Sequence, residues 1–419
     1  MTKSTSLLAR IHDPADLKDL SVRELGQLAV EIRAAIVSTV SKNGGHLASN
    51  LGVVELTIAL HRVFDSPSDK IVWDVGHQCY THKLLTGRYD RFPTLRQKDG
   101  IAGFPKRDES PHDSFDTGHA STSISAALGL LAGEHIQERS NSVIAVIGDG
   151  ALSGGLAYEA LSHAGQLGLP LIVILNDNKM SIGRSVGGLS KYLSRLSMKA
   201  RYQAFRRKFD SMVKSIPHVG ELFFDIVVRL KRAVKAVFYI DNFFVDLGFE
   251  YVGPIEGHHI QRLEQLLRDV RRLNRPVVVH VITRKGKGYQ FAEEDPGSYH
   301  GVSSFEVSKG LLKGPAAKPV SLSTGGKVAV GNLTERGITK PALRQAAPPR
   351  APRHRERRTK TSFTEAFARA LLDEGYTDDR IIGITAAMEK GTGLATFKTA
   401  FPGRFFDVGI AEEHAVTFA

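Results

Sequence analysis

The sequence holds a single cysteine, Cys79, among 419 residues. That excludes an intramolecular disulfide and any cysteine-rich zinc site, and it fits a reducing compartment, so a cytoplasmic location is expected. No apolar run approaches the ~18 residues of a membrane span, and the N-terminus lacks a basic stretch followed by an apolar one. Membrane and secreted classes are set aside. What the composition does supply is 42% hydrophobic and 24% charged residues, enough for a core of ordinary globular kind. At roughly 100–200 residues per domain, two or three domains are expected.

Acidic residues are scarce in one place. Between Lys309 and Lys360, 13 Lys/Arg face only Glu335 and Glu356, so this stretch carries nearly all of the net charge of +12. It is rich in Pro, Gly and Ala and has little periodicity, which describes a solvated linker over 309–360 better than a nucleic-acid-binding domain. A second basic stretch, from Arg195 to Lys235, lies inside helical text at 182–244 that leaves the regular pattern.

The remainder alternates. Ser21 and Glu24 make a capping-box pattern before a helix over 21–40. Short apolar runs at Ile71–Val75, Val143–Ile147, Pro170–Leu175 and Val277–Ile282 alternate with helical patterns at Val53–Phe64, Thr122–Gln137 and Leu156–Leu167. Such alternation predicts βαβ units and a parallel sheet, hence an α/β fold over 1–308. After Thr361 a helix (Phe363–Glu374), two strands (Ile381–Thr385 and Phe405–Ile410) and a helix opening at Glu412–Glu413 predict a second α/β unit over 361–419, incomplete at Ala419.

Two motifs fall at expected strand ends. Gly148-Asp149-Gly150 follows one strand, and Asn176-Asp177-Asn178 closes the next. The carboxyl ends of adjacent parallel strands are where open α/β sheets bind ligands. The glycines admit a phosphate, a helix expected to start at Ala151 offers N–H groups, and Asp149 with Asn178 supplies hard oxygens for Mg²⁺. Alone, the first motif reads as a glycine turn; paired with the second it reads as metal-assisted diphosphate binding. A dinucleotide fingerprint fits less well, because Ser153 stands where its third glycine belongs and Asp149 would repel a bare pyrophosphate. Histidines in polar turns (His46, His77, His119 and His300) suggest phosphate binding and proton transfer near neutral pH. Each alone is more often structural, and His77 with His82 lacks a third ligand for zinc. Lys285-Gly286-Lys287-Gly288-Tyr289 after a strand is either a basic surface turn or a cationic loop for an anion.

Taken together, these stretches resemble the thiamine-diphosphate enzymes of the transketolase-like class, and more narrowly the 1-deoxy-D-xylulose-5-phosphate synthase family. The resemblance is carried by GGHLASNLGVVELT (44–57), WDVGHQCYTHKLLTGR (73–88), DTGHASTSIS (116–125), GDGALSGG (148–155), NDNKMSIG (176–183), GPIEGHH (253–259), KGKGY (285–289) and FFDVGIAEEHAVTFA (405–419). It covers nearly the whole chain outside the linker and the basic excursion.

The resemblance implies a parallel-sheet thiamine-diphosphate-binding fold: one complete diphosphate/metal-binding unit and the start of a pyrimidine-binding unit, in a homodimer. It implies thiamine diphosphate and Mg²⁺ as cofactors, the metal held by Asp149, Asn178 and the carbonyl of Met180. His77, Gly118, His119, Ala120, Gly150, Ala151, Asn178, Lys285 and Tyr289 would line the cofactor, and Glu412 would bond its aminopyrimidine. His46 and His300 would handle substrate protons. The implied reaction decarboxylates pyruvate and transfers two carbons to glyceraldehyde 3-phosphate, feeding isoprenoid, thiamine and pyridoxal synthesis. Glu413 departs from the glutamine usual after the catalytic glutamate, and a second carboxylate there is expected to raise the pKa of Glu412. Two other readings stay open: another transketolase-like enzyme, and a non-catalytic fragment that binds thiamine diphosphate.

Overall fold

The computed structural model describes residues 6–178, 188, 192–193, 242–311 and 362–418. Met180, nearly all of the 182–244 excursion and nearly all of the 309–360 linker lie outside the described residues.

The chain opens with the long helix α1 (Val22–Asn43), whose start is set by the expected capping box: Ser21 Oγ accepts from the N–H of Glu24, and the Glu24 carboxylate accepts from the N–H of Ser21. Then come a short strand β1 (Gly45–His46), the helices α2 (Ala48–Leu51) and α3 (Val54–Val63), and strand β2 (Lys70–Trp73). Helix α4 (Tyr80–Leu85) precedes α5 (Ser123–Ile136), β3 (Val143–Gly148), α6 (Gly155–Leu167) and β4 (Ile172–Asp177). Strands β5 (Glu250–Glu256) and β6 (Val277–Ile282) flank a helix at Ile260–Arg271, and β7 (Gly301–Val302) pairs antiparallel with β1.

Strands β2, β3, β4, β6 and β5 lie side by side in that order, all parallel. Alternation along each strand sends its side chains to two separate cores. Ile144 and Val146 of β3, and Ile172 and Ile174 of β4, face α1, α3 and the helix Ile260–Arg271. Val143, Ala145 and Ile147, with Val173 and Leu175, face α5 and α6. Helices on both faces explain why these strands read as continuous apolar runs.

Three expectations for residues 1–308 need correction. The first strand stops at Trp73 and not Val75, because Val75 turns to φ 59° and Gly76 to φ 86°, leaving the sheet. No α-helix starts at Ala151: a single 3₁₀ turn spans Ala151–Ser153 and α6 begins at Gly155. Strand β5 has no counterpart among the expected runs. It is a half-buried edge strand interrupted at Gly253-Pro254, with its register shifted between Val252 and Ile255, so neither alternation nor a continuous apolar run marks it.

Beyond the linker, the helix Phe363–Thr377 has its own capping box at Ser362 and Glu365. Strands β8 (Gly383–Thr385) and β9 (Phe405–Asp407) pair in parallel, with a helix Ala395–Ala400 between them and the helix Glu412–Phe418 after. The second strand ends at Asp407 and not Ile410. Among the described residues no helix is long and apolar enough to cross a membrane.

Candidate functional site

The carboxyl ends of β2, β3, β4 and β6 open on a cavity of about 230 Å³. Asp149, one step past β3, takes the N–H side of a bond to the carbonyl of Asn176 (3.2 Å), which ties the two sequence motifs together. The Asn178 N–H reaches Asp149 Oδ1 at 3.5 Å. The three residues of Asn176-Asp177-Asn178 divide their work. Asn176 accepts from Thr283 Oγ1 (2.6 Å) and donates to Gln78 (3.2 Å), while Asp177 is bonded to His280 Nε2 (3.0 Å), whose Nδ1 meets the Tyr251 hydroxyl (2.7 Å). Asn178 is the one of the three that lines the cavity, beside Asp149 and Lys285.

Three histidines form another wall. The β1–β7 pair sets His46 opposite Gly301, and the N–H of Leu47 bonds to the His300 carbonyl, so the two imidazoles come together from distant parts of the chain. Ring centroids of His46, His77 and His300 stand 5.2–5.5 Å apart. The Nδ1 atoms of all three are buried and have no hydrogen-bond partner among the described residues. Burial, Arg96 and Lys285 push His46 down to about 4; burial, Lys285 and His46 push His300 down to about 3; burial and the other two imidazoles push His77 well below its usual range. All three are neutral at pH 7. A neutral imidazole carries one donor and one acceptor nitrogen, so each ring can hydrogen-bond a group in the cavity.

The Gly118-His119-Ala120 turn is fixed by Asp74, whose buried carboxylate accepts the N–H groups of Ser121 (2.9 Å) and Ser123 (3.0 Å). Burial raises the Asp74 carboxyl against these bonds. A Cβ on Gly118 would meet nothing within 4 Å, so this edge is open. Lys285 is only 5% exposed, and burial pushes its ammonium down to about 8, opposed by Asp149. From the far end of the chain, Glu412 brings Oε1 to 3.5 Å from His119 Nε2, and Ser153 Oγ donates to the Ile410 carbonyl (3.3 Å).

Of the residues singled out in the sequence, His46, His77, Gly118, His119, Ala120, Asp149, Gly150, Ala151, Asn178, Lys285, His300 and Glu412 line one cavity. Tyr289 does not. Its hydroxyl donates to the Val307 carbonyl (2.9 Å) and its ring packs on Tyr299 and Phe305, because Gly286 and Gly288 turn the chain back on itself after Lys285. Met180 lies outside the described residues. Residue-level reading passed over Ser49, Asp74, Gln78, Ala386 and Met388, which also line the cavity. Ala386 and Met388 follow strand β8, and the strand-end rule applied to the second unit would have pointed there.

The donor set suits a magnesium-bound diphosphate. Asp149 and Asn178 offer two oxygen-bearing side chains, Lys285 a cation, and the histidines three buried nitrogens without a partner among the described residues. No group of three or more His, Cys, Asp or Glu among the described residues could hold a metal alone. Mg²⁺ commonly takes one or two protein oxygens and completes its shell from phosphate and water, which is the kind of site these residues can make.

Comparison with known proteins bears on the same residues. A family model described as 1-deoxy-D-xylulose-5-phosphate synthase matches residues 8–283, and one described as the pyrimidine binding domain of transketolase matches 359–419. The chain is 50% identical over 414 residues to 1-deoxy-D-xylulose-5-phosphate synthase of Treponema pallidum, covering 99% of this chain and 59% of that protein. It is 48% identical over 415 residues to the one from Heliobacterium modesticaldum, covering 99% and 58%. The chain thus spans somewhat over half the length of these relatives. Among solved structures, a transketolase from Campylobacter jejuni aligns with a TM-score of 0.50 at 20% identity, covering 68% of this chain and 41% of that one, which supports the fold alone.

Proposed function

The chain belongs to the 1-deoxy-D-xylulose-5-phosphate synthase family, and from that premise we propose that its cavity binds thiamine diphosphate with Mg²⁺ and serves two-carbon transfer from pyruvate to glyceraldehyde 3-phosphate. The observation that carries this reading is the meeting of Asp149, Asn178, Lys285, three neutral histidines and Glu412 around one cavity. In this reading 1–308 is the diphosphate/metal-binding unit, 309–360 a linker, and 361–419 the start of the pyrimidine-binding unit. The protein works as a cytoplasmic homodimer supplying isoprenoid, thiamine and pyridoxal synthesis.

When bound, thiamine diphosphate supplies the electron sink that decarboxylation of a 2-oxo acid requires. The chain's own residues do the rest. Asp149 and Asn178 would hold the metal, with the carbonyl of Met180 proposed as a third ligand. Lys285 and the Gly118–Ala120 turn neutralise and cradle the diphosphate. His77 borders the cofactor, while His46 and His300, neutral at pH 7, can each accept or donate a proton at a substrate oxygen without a charged resting state. Glu412, whose Oε1 lies 3.5 Å from His119 Nε2, would be the carboxyl group that hydrogen-bonds the aminopyrimidine.

Calorimetry of the 419-residue chain with thiamine diphosphate, with and without Mg²⁺, tests binding; CO₂ release from pyruvate plus glyceraldehyde 3-phosphate tests turnover. Metal-dependent binding, lost in Asp149→Ala, is the expected result, with any turnover abolished in Glu412→Ala. Absence of metal-dependent binding overturns the proposal. Binding without turnover favours the fragment reading.

A further inference from the structure

On both sides of Lys285 in the chain lies a largely buried ionic cluster, lining a groove separate from that cavity, to which no role has been given. Resting on the reading in which Lys285 is the cation for the diphosphate, we propose that Glu55, acting through Arg33 and His258, is a positioning residue that sets where the Lys285 side chain stands.

The loop after β6 runs Arg284, Lys285, Gly286, Lys287, and Glu55 reaches it on both sides of Lys285. On one side, Glu55 Oε2 lies 3.0 Å from His258 Nδ1, and His258 Nε2 accepts the N–H of Arg284 at 2.8 Å. Since Nε2 accepts, Nδ1 carries the proton and donates to the carboxylate. On the other side, Arg33 Nη2 donates to Glu55 Oε2 at 2.6 Å, while Arg33 Nε donates to the Lys287 carbonyl at 3.0 Å. Lys287 Nζ also stands 3.5 Å from Glu55 Oε1. A third tie, from the Gly286 N–H to the Ala48 carbonyl (2.7 Å), fixes the loop's middle.

Four elements far apart in sequence thus meet on one carboxylate: α1 through Arg33, α3 through Glu55, the turn after β5 through His258, and the Lys285 loop. Burial would raise the Glu55 carboxyl, yet hydrogen bonds from His258 and Arg33 hold it down at about 2. It therefore stays charged throughout the physiological range. A carboxylate that must organise two cationic or N–H partners is a costly way to fill a core, since an apolar residue of like volume packs without desolvating a charge. Its geometry instead resists sliding of Arg284 and Lys287 relative to α1 and α3. With both flanks pinned, the loop holds Lys285 where its side chain lines the cavity with Asp149.

The test uses the full chain and the isosteric Glu55→Gln, which keeps the volume and removes the charge. Competitive acetylation with mass spectrometry compares the labelling rate of Lys285 with that of Lys309, an exposed reference. Glu55→Gln is expected to raise the Lys285/Lys309 labelling ratio at least fivefold. Calorimetry with Mg²⁺ and thiamine diphosphate is expected to show binding at least tenfold weaker, with no further loss when Glu55→Gln is added to Lys285→Met. A merely structural role would lower both backgrounds alike. An unchanged labelling ratio, or losses that add in the double variant, overturns the proposal. Should Glu55→Gln fail to fold, His258→Gln leaves the Arg33–Glu55 pair in place and is expected to raise the ratio by a smaller factor; no rise there overturns the proposal as well. If the unaltered chain does not bind thiamine diphosphate, the functional reading fails, and the labelling ratio still decides the positioning role.

Discussion

Lys285 carries at the scale of one residue the conflict that the proposed diphosphate site imposes. Its ammonium is nearly enclosed, and its pKa stands at about 8 against an ordinary 10.5. Between those values the unfolded chain keeps a proton that the folded chain has released, so stability rises with pH across that window and is lowest below it. Lys285→Met is therefore expected to stabilise the fold by roughly 1–3 kcal/mol at pH 7, a gain that shrinks toward about pH 10, while diphosphate binding is weakened but still measurable. Urea unfolding at both pH values checks this, and a midpoint lowered at pH 7 would count against it. The lysine itself was legible in the KGKGY run. What was not legible is that Tyr289, four residues on, faces away, because two left-handed glycines between them reverse the chain.

Elements add a second kind of constraint. Asp74 directly follows β2 and holds the first turn of α5 and the loop before it through two backbone N–H groups. Asp74→Ala leaves both donors buried and unpaired, and is expected to cost about 2–4 kcal/mol; Asp74→Asn, which keeps one acceptor, costs less. Calorimetric unfolding of the two variants measures the difference, and equal losses would show that the two bonds are not what matters. Local reading recovered α1 with its capping box, α3, α5, α6 and the apolar strands β3, β4 and β6, because each announces itself by period or by burial on both faces. It missed β5, where a proline and a register shift break the signal, and placed a helix start at Ala151 where a 3₁₀ turn stands. Edge strands and short turns carry little periodicity, so their form is settled by what they pack against.

Across the whole molecule, the buried histidines set how the fold meets acid. His46 and His82 sit at about 4, His300 at about 3, and His61 and His77 well below their usual range, chiefly through burial. From pH 6.5 downward the unfolded chain takes up protons that the folded chain refuses, so stability is lost as pH falls toward 4 and is intact above 6.5. Mutual repulsion within each cluster makes the terms non-additive, but at least two net protons, about 3 kcal/mol per pH unit, are expected. Urea midpoints from pH 7 to 5 should fall steeply, and less so when His46 and His300 are both replaced by Asn. A flat profile would contradict the neutral assignments in the cavity.

The sequence by itself determined the α/β class, the two strand-end motifs, the family resemblance and most cavity residues, because glycine turns, hard oxygen ligands and apolar runs are local chemistry written in adjacent positions. Only the tertiary structure decided which of Asn176, Asp177 and Asn178 faces the cavity, that His46 and His300 adjoin through the β1–β7 pair, and that Glu412 meets His119. It alone showed one carboxylate, Glu55, holding both sides of Lys285. Those facts depend on contacts between residues hundreds of positions apart, where the facing of each side chain follows from the sheet order and the packing of helices on it, and no local pattern encodes that.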